Sequence, residues 1–232
     1  MSDYTFQNCG ALTTVALPAA LESIGNNAFQ DCKVLASIDD LPEKLATIGN
    51  NAFQGCGALA SIDLSGTKLT TIGNNAFSSS GLESIDLSGA SIDTIKDNAF
   101  QDCNVLESID LSEASINIIG NYAFASSGLK SIDLSDTQLA SIGEWAFSYS
   151  GSLASIDLPE TLASIGGSAF RYCGSLTKVI SRKKVPPVTG ALAFEYLDSD
   201  RICYVPKESV QAYTDAWITG TGWSIKTLDE LP

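Results

Sequence analysis

Apolar positions recur along this chain at a fixed long interval, and each interval contains the same short apolar–polar alternation. One unit reads Leu82-Glu-Ser-Ile85-Asp-Leu87, then Ile92-Asp-Thr-Ile95, then Ala99-Phe100. The first segment follows L-x-x-I-x-L, with versions starting at Leu12, Leu35, Leu59, Leu106, Leu129 and Leu153. Ser84 and Asp86 alternate with Ile85, which predicts a short strand with Leu82, Ile85 and Leu87 inward and the polar pair outward. Pro18, Pro42 and Pro159, or Ser-Gly at 65–66 and 88–89, mark a turn after it. A second apolar pair follows, such as Leu45/Ile48 or Leu69/Ile72, and predicts a second short strand or an extended turn. The Ala-Phe pair predicts a tight turn or one helical turn, with phenylalanine plugging the interior.

Phe29, Phe53, Phe77, Phe100, Phe124, Phe147, Phe170 and Phe194 are 23 or 24 residues apart, and Phe6 makes nine. A unit of that size cannot bury its own apolar face, so it must stack on its neighbours. The expected fold is therefore a right-handed repeat solenoid of the leucine-rich type, about nine coils and ~40–45 Å long at the spacing of stacked strands. Short parallel strands form one side, with turns or short helical turns on the other. Residues 1–178 read as the solenoid and 179–232 as a degenerate last repeat and C-terminal cap.

Charge supports that division. The 232 residues carry 13 basic and 27 acidic side chains, a net −14, of which −13 falls in 1–178 and −1 in 179–232. Such a balance disfavours nucleic acid and anionic membranes and suits cationic partners. No apolar run approaches the ~18 residues of a membrane helix. The chain is inside a repeat by Phe6 with no polar end cap before it, so an upstream segment, with any export signal, is expected to lie outside this sequence.

The repeat motifs L-x-x-I-x-L, L-x-x-I-G, A-F and x-x-C-x-x-L, together in one 23-residue unit over residues 5–178, resemble the BspA-like leucine-rich repeat family. The tail is similar to that family's C-terminal cap, through Lys184-Val-Pro-Pro187, Phe194, Ile202-Cys-Tyr-Val-Pro206, Val210-Gln-Ala-Tyr213 and Trp217 or Trp223. The resemblance implies a short helix over about 207–217 covering the open core. It also implies an exported or cell-surface protein of host-associated anaerobes or some parasites, associated with adhesion and protein binding. Residues 218–224, rich in glycine, depart from the pattern and are expected to loop out.

Two constellations could carry recognition. Asp39, Asp63, Asp86, Asp110, Asp133 and Asp157 occupy one slot in six successive copies, beside Ser37, Ser61, Ser84, Ser108, Ser131 and Ser155. Stacked ~5 Å apart, these carboxylates are expected to raise some of one another's pKa values or to attract cations. The column reads as an acidic strip for a basic partner, or as a solvated face. A calcium track is the weaker version, because a flat column offers too few oxygens, and binding no tighter than ~0.1 mM is expected. The second constellation is aromatic. Tyr122 and Trp145 precede the Ala of Ala-Phe, where Asn27, Asn51, Asn75 and Asn98 stand in earlier copies. Tyr149 and Tyr172 lie two residues after the Phe in adjacent copies, with Arg171 beside Tyr172. Tyr, Trp and Arg are common interface anchors. They also suit stacking on sugars, or they fold down as ordinary surface.

Chemistry has little to work with. The chain has no histidine, and no lysine sits in a slot that could activate the repeated Ser-Asp serines. There is no phosphate-binding glycine loop, and Gly10, Gly55 and Gly57 read as turn glycines. Cys9, Cys32, Cys56, Cys103 and Cys173 share a slot with Ser80, Ser127 and Ser150, which reads as a small buried site rather than a disulfide framework or a metal centre. Neither metal nor cofactor is expected. The asparagine column is expected to serve turn backbone groups, and Arg182-Lys183-Lys184 to solvate the cap junction. The leading expectation is non-enzymatic recognition, most of all of an extracellular or host protein. A glycan binder and a spacer presenting another domain are the alternatives.

Overall fold

The computed structural model describes residues 1–39, 41–64, 66–197, 200–217 and 222–231, with the side chain of Asp39 also outside the description. The chain coils into nine rungs joined by parallel strands. The L-x-x-I-x-L segments form ladders in the register the repeat demands. Thr14–Ala16 pairs with Ser37–Asp39, and Ser84–Asp86 with Ser108–Asp110. Ser131–Asp133, Ser155–Leu158, Lys178–Ser181, Arg201–Val205 and Trp223–Thr227 follow in one five-stranded sheet. The copy at 61–64 keeps the alternation, with Ile62 and Leu64 buried, but it joins no ladder.

The second apolar pair is a strand, not a turn. Eight two-residue strands, from Ser23–Ile24 to Val188–Thr189, form one continuous parallel sheet. Gly25, Gly49, Gly73, Gly120, Gly143, Gly166 and Gly190 end these strands because the preceding coil passes too close for a side chain. A Cβ at Gly73 would lie 2.5 Å from the Asn50 nitrogen. Lys96 holds the equivalent slot, and there the ladder keeps only the single pair Ile72↔Ile95.

The Ala-Phe segment is a tight turn, bracketed by two left-handed residues such as Asn27 (φ 54°) and Asp31 (φ 58°). Asparagine, aspartate and glycine tolerate that conformation best. The nine phenylalanine rings stack at 5.2–5.4 Å, a column of about 42 Å that falls within the expected length. From Phe29 to Phe170 these rings are fully buried.

The Cys/Ser slot does more than fill space. Cys32, Cys56, Cys103 and Cys173 each donate Sγ–H to the carbonyl of a phenylalanine one coil back, at 2.9–3.1 Å, and Ser150 does the same to Phe124 at 2.8 Å. Cysteine and serine alternate there because both are small donors, which volume alone does not explain. All six cysteines are free thiols, and Cys9 is the one that is only half-buried. Asparagines outside the turn form a ladder of their own. Asn26 Oδ1 accepts from the Asn50 N–H and Asn50 Oδ1 from the Asn74 N–H, each at 2.8 Å.

At the C-terminal end Trp217 and Trp223 both pack on Phe194, with ring centroids 5.0 and 5.5 Å away. Trp217 closes the cap helix Val210–Trp217, and Tyr213 on that helix is fully buried, its hydroxyl 2.6 Å from Ser181 Oγ. Of the stretch expected to loop out, 218–221 lies outside the described residues. Trp223 and Ser224 instead begin the strand Trp223–Thr227, which pairs with Arg201–Val205. A buried tryptophan that continues the phenylalanine column outweighs the glycines around it.

Candidate functional site

The aspartate slot lies on the exposed side of its strands, as the alternation predicts: Asp63, Asp86, Asp110 and Asp133 are all exposed. Asp39 cannot be placed with them, because its side chain lies outside the described residues. The carboxylates are occupied locally. Oδ1 of Asp86, Asp110 and Asp133 accepts the backbone N–H two residues on, from Ser88, Ser112 and Ser135, at 2.8–2.9 Å. That bond closes the turn after the strand. It holds the Asp110 carboxyl below its ordinary range, opposite to the shift expected from mutual repulsion. Asp157 is shifted upward, but burial is the main cause and the neighbouring Asp133 and Asp136 add less.

Asp157 is also paired. Arg182 donates Nε–H to Oδ1 at 3.0 Å and Nη2–H to Oδ2 at 2.7 Å, a two-pronged bridge that ends the acidic column. The basic run therefore does more than solvate. Arg182 neutralises Asp157, Lys183 Nζ donates to the Glu160 carbonyl at 3.2 Å, and Lys184 pairs with Glu208 at 3.1 Å. A groove of about 530 Å³ runs along the column, lined by Asp86, Asp110, Asp133, Asp136 and their serine neighbours. Among the described residues no group of three or more Cys, Asp or Glu side chains has the geometry to hold a metal ion.

The aromatic residues do come together. Tyr122 stacks on Trp145 with centroids 6.1 Å apart. Tyr149, Tyr172 and Tyr196 form a second file at 4.7 Å per step. Arg171 joins the two files, its guanidinium carbon 5.5 Å from the Trp145 ring centre, 5.0 Å from Tyr172 and 4.9 Å from Tyr196. Glu195 Oε2 lies 3.0 Å from Arg171 Nε. Tyr196 and Glu195 escaped the sequence reading, although Tyr196 repeats the slot two residues after Phe194.

Backbone conformation sets this patch apart. All five aromatic residues sit in the left-handed turn positions, with φ between 54° and 63°. In other coils the same positions carry mostly Asn, Asp, Gly or Ser, such as Asn27, Asn51, Asp31, Gly55 and Ser79, with Tyr4 and Leu192 as isolated bulky occupants. A bulky side chain is unfavourable there by about 1–3 kcal/mol. The chain nevertheless places five together, with Tyr122, Tyr149, Tyr172 and Tyr196 between 37% and 56% exposed. Faces of the middle ring are used up by its two neighbours. The end rings Tyr149 and Tyr196 each have one stacking neighbour in the file and are more exposed than Tyr172.

A nine-coil parallel solenoid with a packed aromatic spine and a helical cap defines a leucine-rich repeat protein. The family model of the BspA type leucine rich repeat region matches residues 1–113 and 70–199 in six copies, and the chain belongs to that family. Among solved structures, a leucine-rich repeat protein from Eubacterium ventriosum is 22% identical over 98% of this chain and 70% of its own, with a TM-score of 0.52. A leucine rich cell surface protein from Faecalibacterium prausnitzii is 19% identical over 98% of this chain and 82% of its own, TM-score 0.26. The pneumococcal vaccine antigen PcpA is 14% identical over 97% and 92%, TM-score 0.44. No curated relative matches the chain. Solenoids of this family are generally non-enzymatic repeat modules of interaction type, and among the described residues no helix is long and apolar enough to cross a membrane.

Proposed function

We propose that this protein is a non-enzymatic recognition module at a cell surface or outside the cell, and that it binds a protein partner through the Tyr122/Trp145 and Tyr149/Tyr172/Tyr196 platform. The observation that carries this reading is the clustering of five aromatic side chains in left-handed turn positions that other coils give mostly to Asn, Asp, Gly or Ser, with Tyr4 and Leu192 the other bulky occupants. Strain kept at an exposed site favours a functional account over a structural one. Exposed tyrosines clustered around a guanidinium suit hydrogen bonding and aromatic contacts with a protein surface. Sugar stacking needs free ring faces, and both faces of Tyr172 are taken by its neighbours, so the glycan alternative is left with the outer ring faces at the ends of the files. The acidic groove along Asp86, Asp110 and Asp133 is a second contact for a basic partner, with Asp157 withdrawn from it by Arg182.

The test is a binding screen against extracellular-matrix proteins at two salt concentrations, run with the wild type and with Tyr122→Asn/Trp145→Asn. A partner of the platform loses at least about tenfold in affinity on the double substitution. A partner of the acidic groove weakens with salt instead. Binding that neither change alters removes the proposal, and the absence of any partner favours the spacer reading.

A further inference from the structure

The hydrogen bonds between coils follow one rule on the Ala-Phe side. In each turn the N–H groups of three alternate residues donate to three alternate carbonyls of the next coil. Asn27, Phe29 and Asp31 donate to Asn50, Ala52 and Gln54, each at 2.8 Å. Tyr122, Phe124 and Ser126 donate to Glu144, Ala146 and Ser148 at 2.7–3.0 Å. The same triplet recurs at all eight joints, from Tyr4/Phe6/Asn8 to Ser168/Phe170/Tyr172, with every distance between 2.7 and 3.2 Å. The central acceptor is an alanine at every joint, from Ala28 to Ala193.

In the ninth coil the donors of that triplet are Leu192, Phe194 and Tyr196. Leu192 (φ 61°) and Tyr196 (φ 55°) keep the left-handed conformation of the earlier turns, so the triplet is formed as before. Among the described residues none of the three N–H groups donates to anything. The cap continues the phenylalanine column with Trp217 and Trp223, and among the described residues it supplies no carbonyl to this turn. Beside the triplet lies a cleft of about 320 Å³ between the turn and the end of the cap helix, lined by Gly190, Leu192, Ala193, Tyr196, Ala216 and Trp217 among others. Phe194 itself lines this cleft, and backbone N–H groups left without a protein partner are a ready template for main-chain pairing.

We propose that this cleft is a backbone-recognition site for a peptide segment of a protein partner. The segment offers three carbonyls on alternate residues, with a small residue at the centre. The eight joints within the molecule show what such an occupant looks like. It differs from a tenth coil in one respect: the residue after the central alanine must be small, because the two cap tryptophans hold the place of the next phenylalanine. The mode is main-chain pairing to an open edge, with affinity from backbone bonds and selectivity from the space around the central side chain. The site adjoins the proposed platform, with Tyr196 contributing its N–H to one and its side chain to the other.

The probe is the synthetic peptide acetyl-Asn-Gly-Ala-Ala-Ser-Gly-amide, which has glycine at both left-handed positions and alanine where the repeat has phenylalanine. In the free protein, hydrogen exchange should be at least about 100-fold faster at the Leu192, Phe194 and Tyr196 amides than at Phe100 or Phe124. In amide-resolved NMR titration the three resonances should move together and saturate. A control peptide with valine for the central alanine should bind at least about tenfold more weakly. Ala216→Trp, which narrows the cleft from an exposed helix position, should abolish the shifts without changing Tm. The proposal is overturned if the three amides are as protected as those of the inner coils, if they do not move up to about 10 mM peptide, or if the valine peptide binds equally. The peptide comparison decides the matter even if the Ala216 variant folds poorly.

Discussion

Raising the pH should unfold this protein through its buried thiols. Burial pushes the thiols of Cys56 and Cys173 up to about 12 from an ordinary 9.0, and Cys32, Cys103 and Cys203 move in the same direction for the same reason. Each folded thiol therefore stays neutral, with those of Cys32, Cys56, Cys103 and Cys173 still able to donate to a phenylalanine carbonyl, while the unfolded chain begins to ionise near pH 9. Stability from this source is fully present below pH 9 and is lost as pH rises toward 12. One pH unit above the unfolded value is worth about 1.4 kcal/mol per thiol. Cys56 and Cys173 together should thus remove about 3 kcal/mol between pH 8 and pH 10. The comparison is the unfolding free energy in urea, under reducing conditions, of the wild type and of Cys56→Ser/Cys173→Ser. Serine donates in the same slot at Ser150 and does not titrate. Lysine and tyrosine ionisation is common to both proteins and cancels. The wild type should lose about 3 kcal/mol more than the variant over that range. Equal losses would show that these thiols are not held as buried neutral donors.

Other perturbations test other joints of the structure. Gly73→Ala drives a Cβ to 2.5 Å from the Asn50 nitrogen, and should cost at least about 2 kcal/mol in thermal unfolding, whereas Lys96→Gly at the equivalent position should cost nothing. Tyr213→Phe removes a hydroxyl held by Ser181 at 2.6 Å and by the Lys183 carbonyl at 3.0 Å, and should cost about 1–3 kcal/mol, read by urea unfolding. Arg182→Ala leaves the half-buried Asp157 carboxylate without its partner, so the Asp157 pKa should rise further and Tm at pH 7 should fall, with Asp157→Asn recovering part of the loss.

The repeat made most of the architecture legible. A period of 23 or 24 residues fixed the stack, and L-x-x-I-x-L fixed which side of each strand faces inward. Even the asparagine column read correctly as backbone service, because its residue type matches the need. What the repeat could not express was the use of groups that look alike in sequence. Asp86 and Asp157 share a slot, yet one closes a turn and the other meets an arginine 25 residues on in the less regular tail. Cys103 and Ser150 looked interchangeable by size, and the carbonyl that selects them appears only when coils stack. Tyr122 and Trp145 stood out as aromatics among asparagines, but the left-handed backbone beneath them belongs to three-dimensional geometry. The end of the hydrogen-bond ladder at Leu192, Phe194 and Tyr196 had no sequence signature, since the last turn is spelled like the others.

The central claim is that the aromatic platform exists for recognition and not for stability. Its five residues forgo about 1 kcal/mol each in backbone strain and recover about 1 kcal/mol for each of three stacked pairs, plus the contacts of Arg171. The direct measurement is the unfolding free energy of a variant in which turn residues from other coils replace the platform: Tyr122→Asn, Trp145→Asn, Tyr149→Gly, Tyr172→Gly and Tyr196→Gly. The account predicts a stability within about 2 kcal/mol of the wild type. A loss of about 4 kcal/mol or more would mark the platform as structural glue and contradict the account.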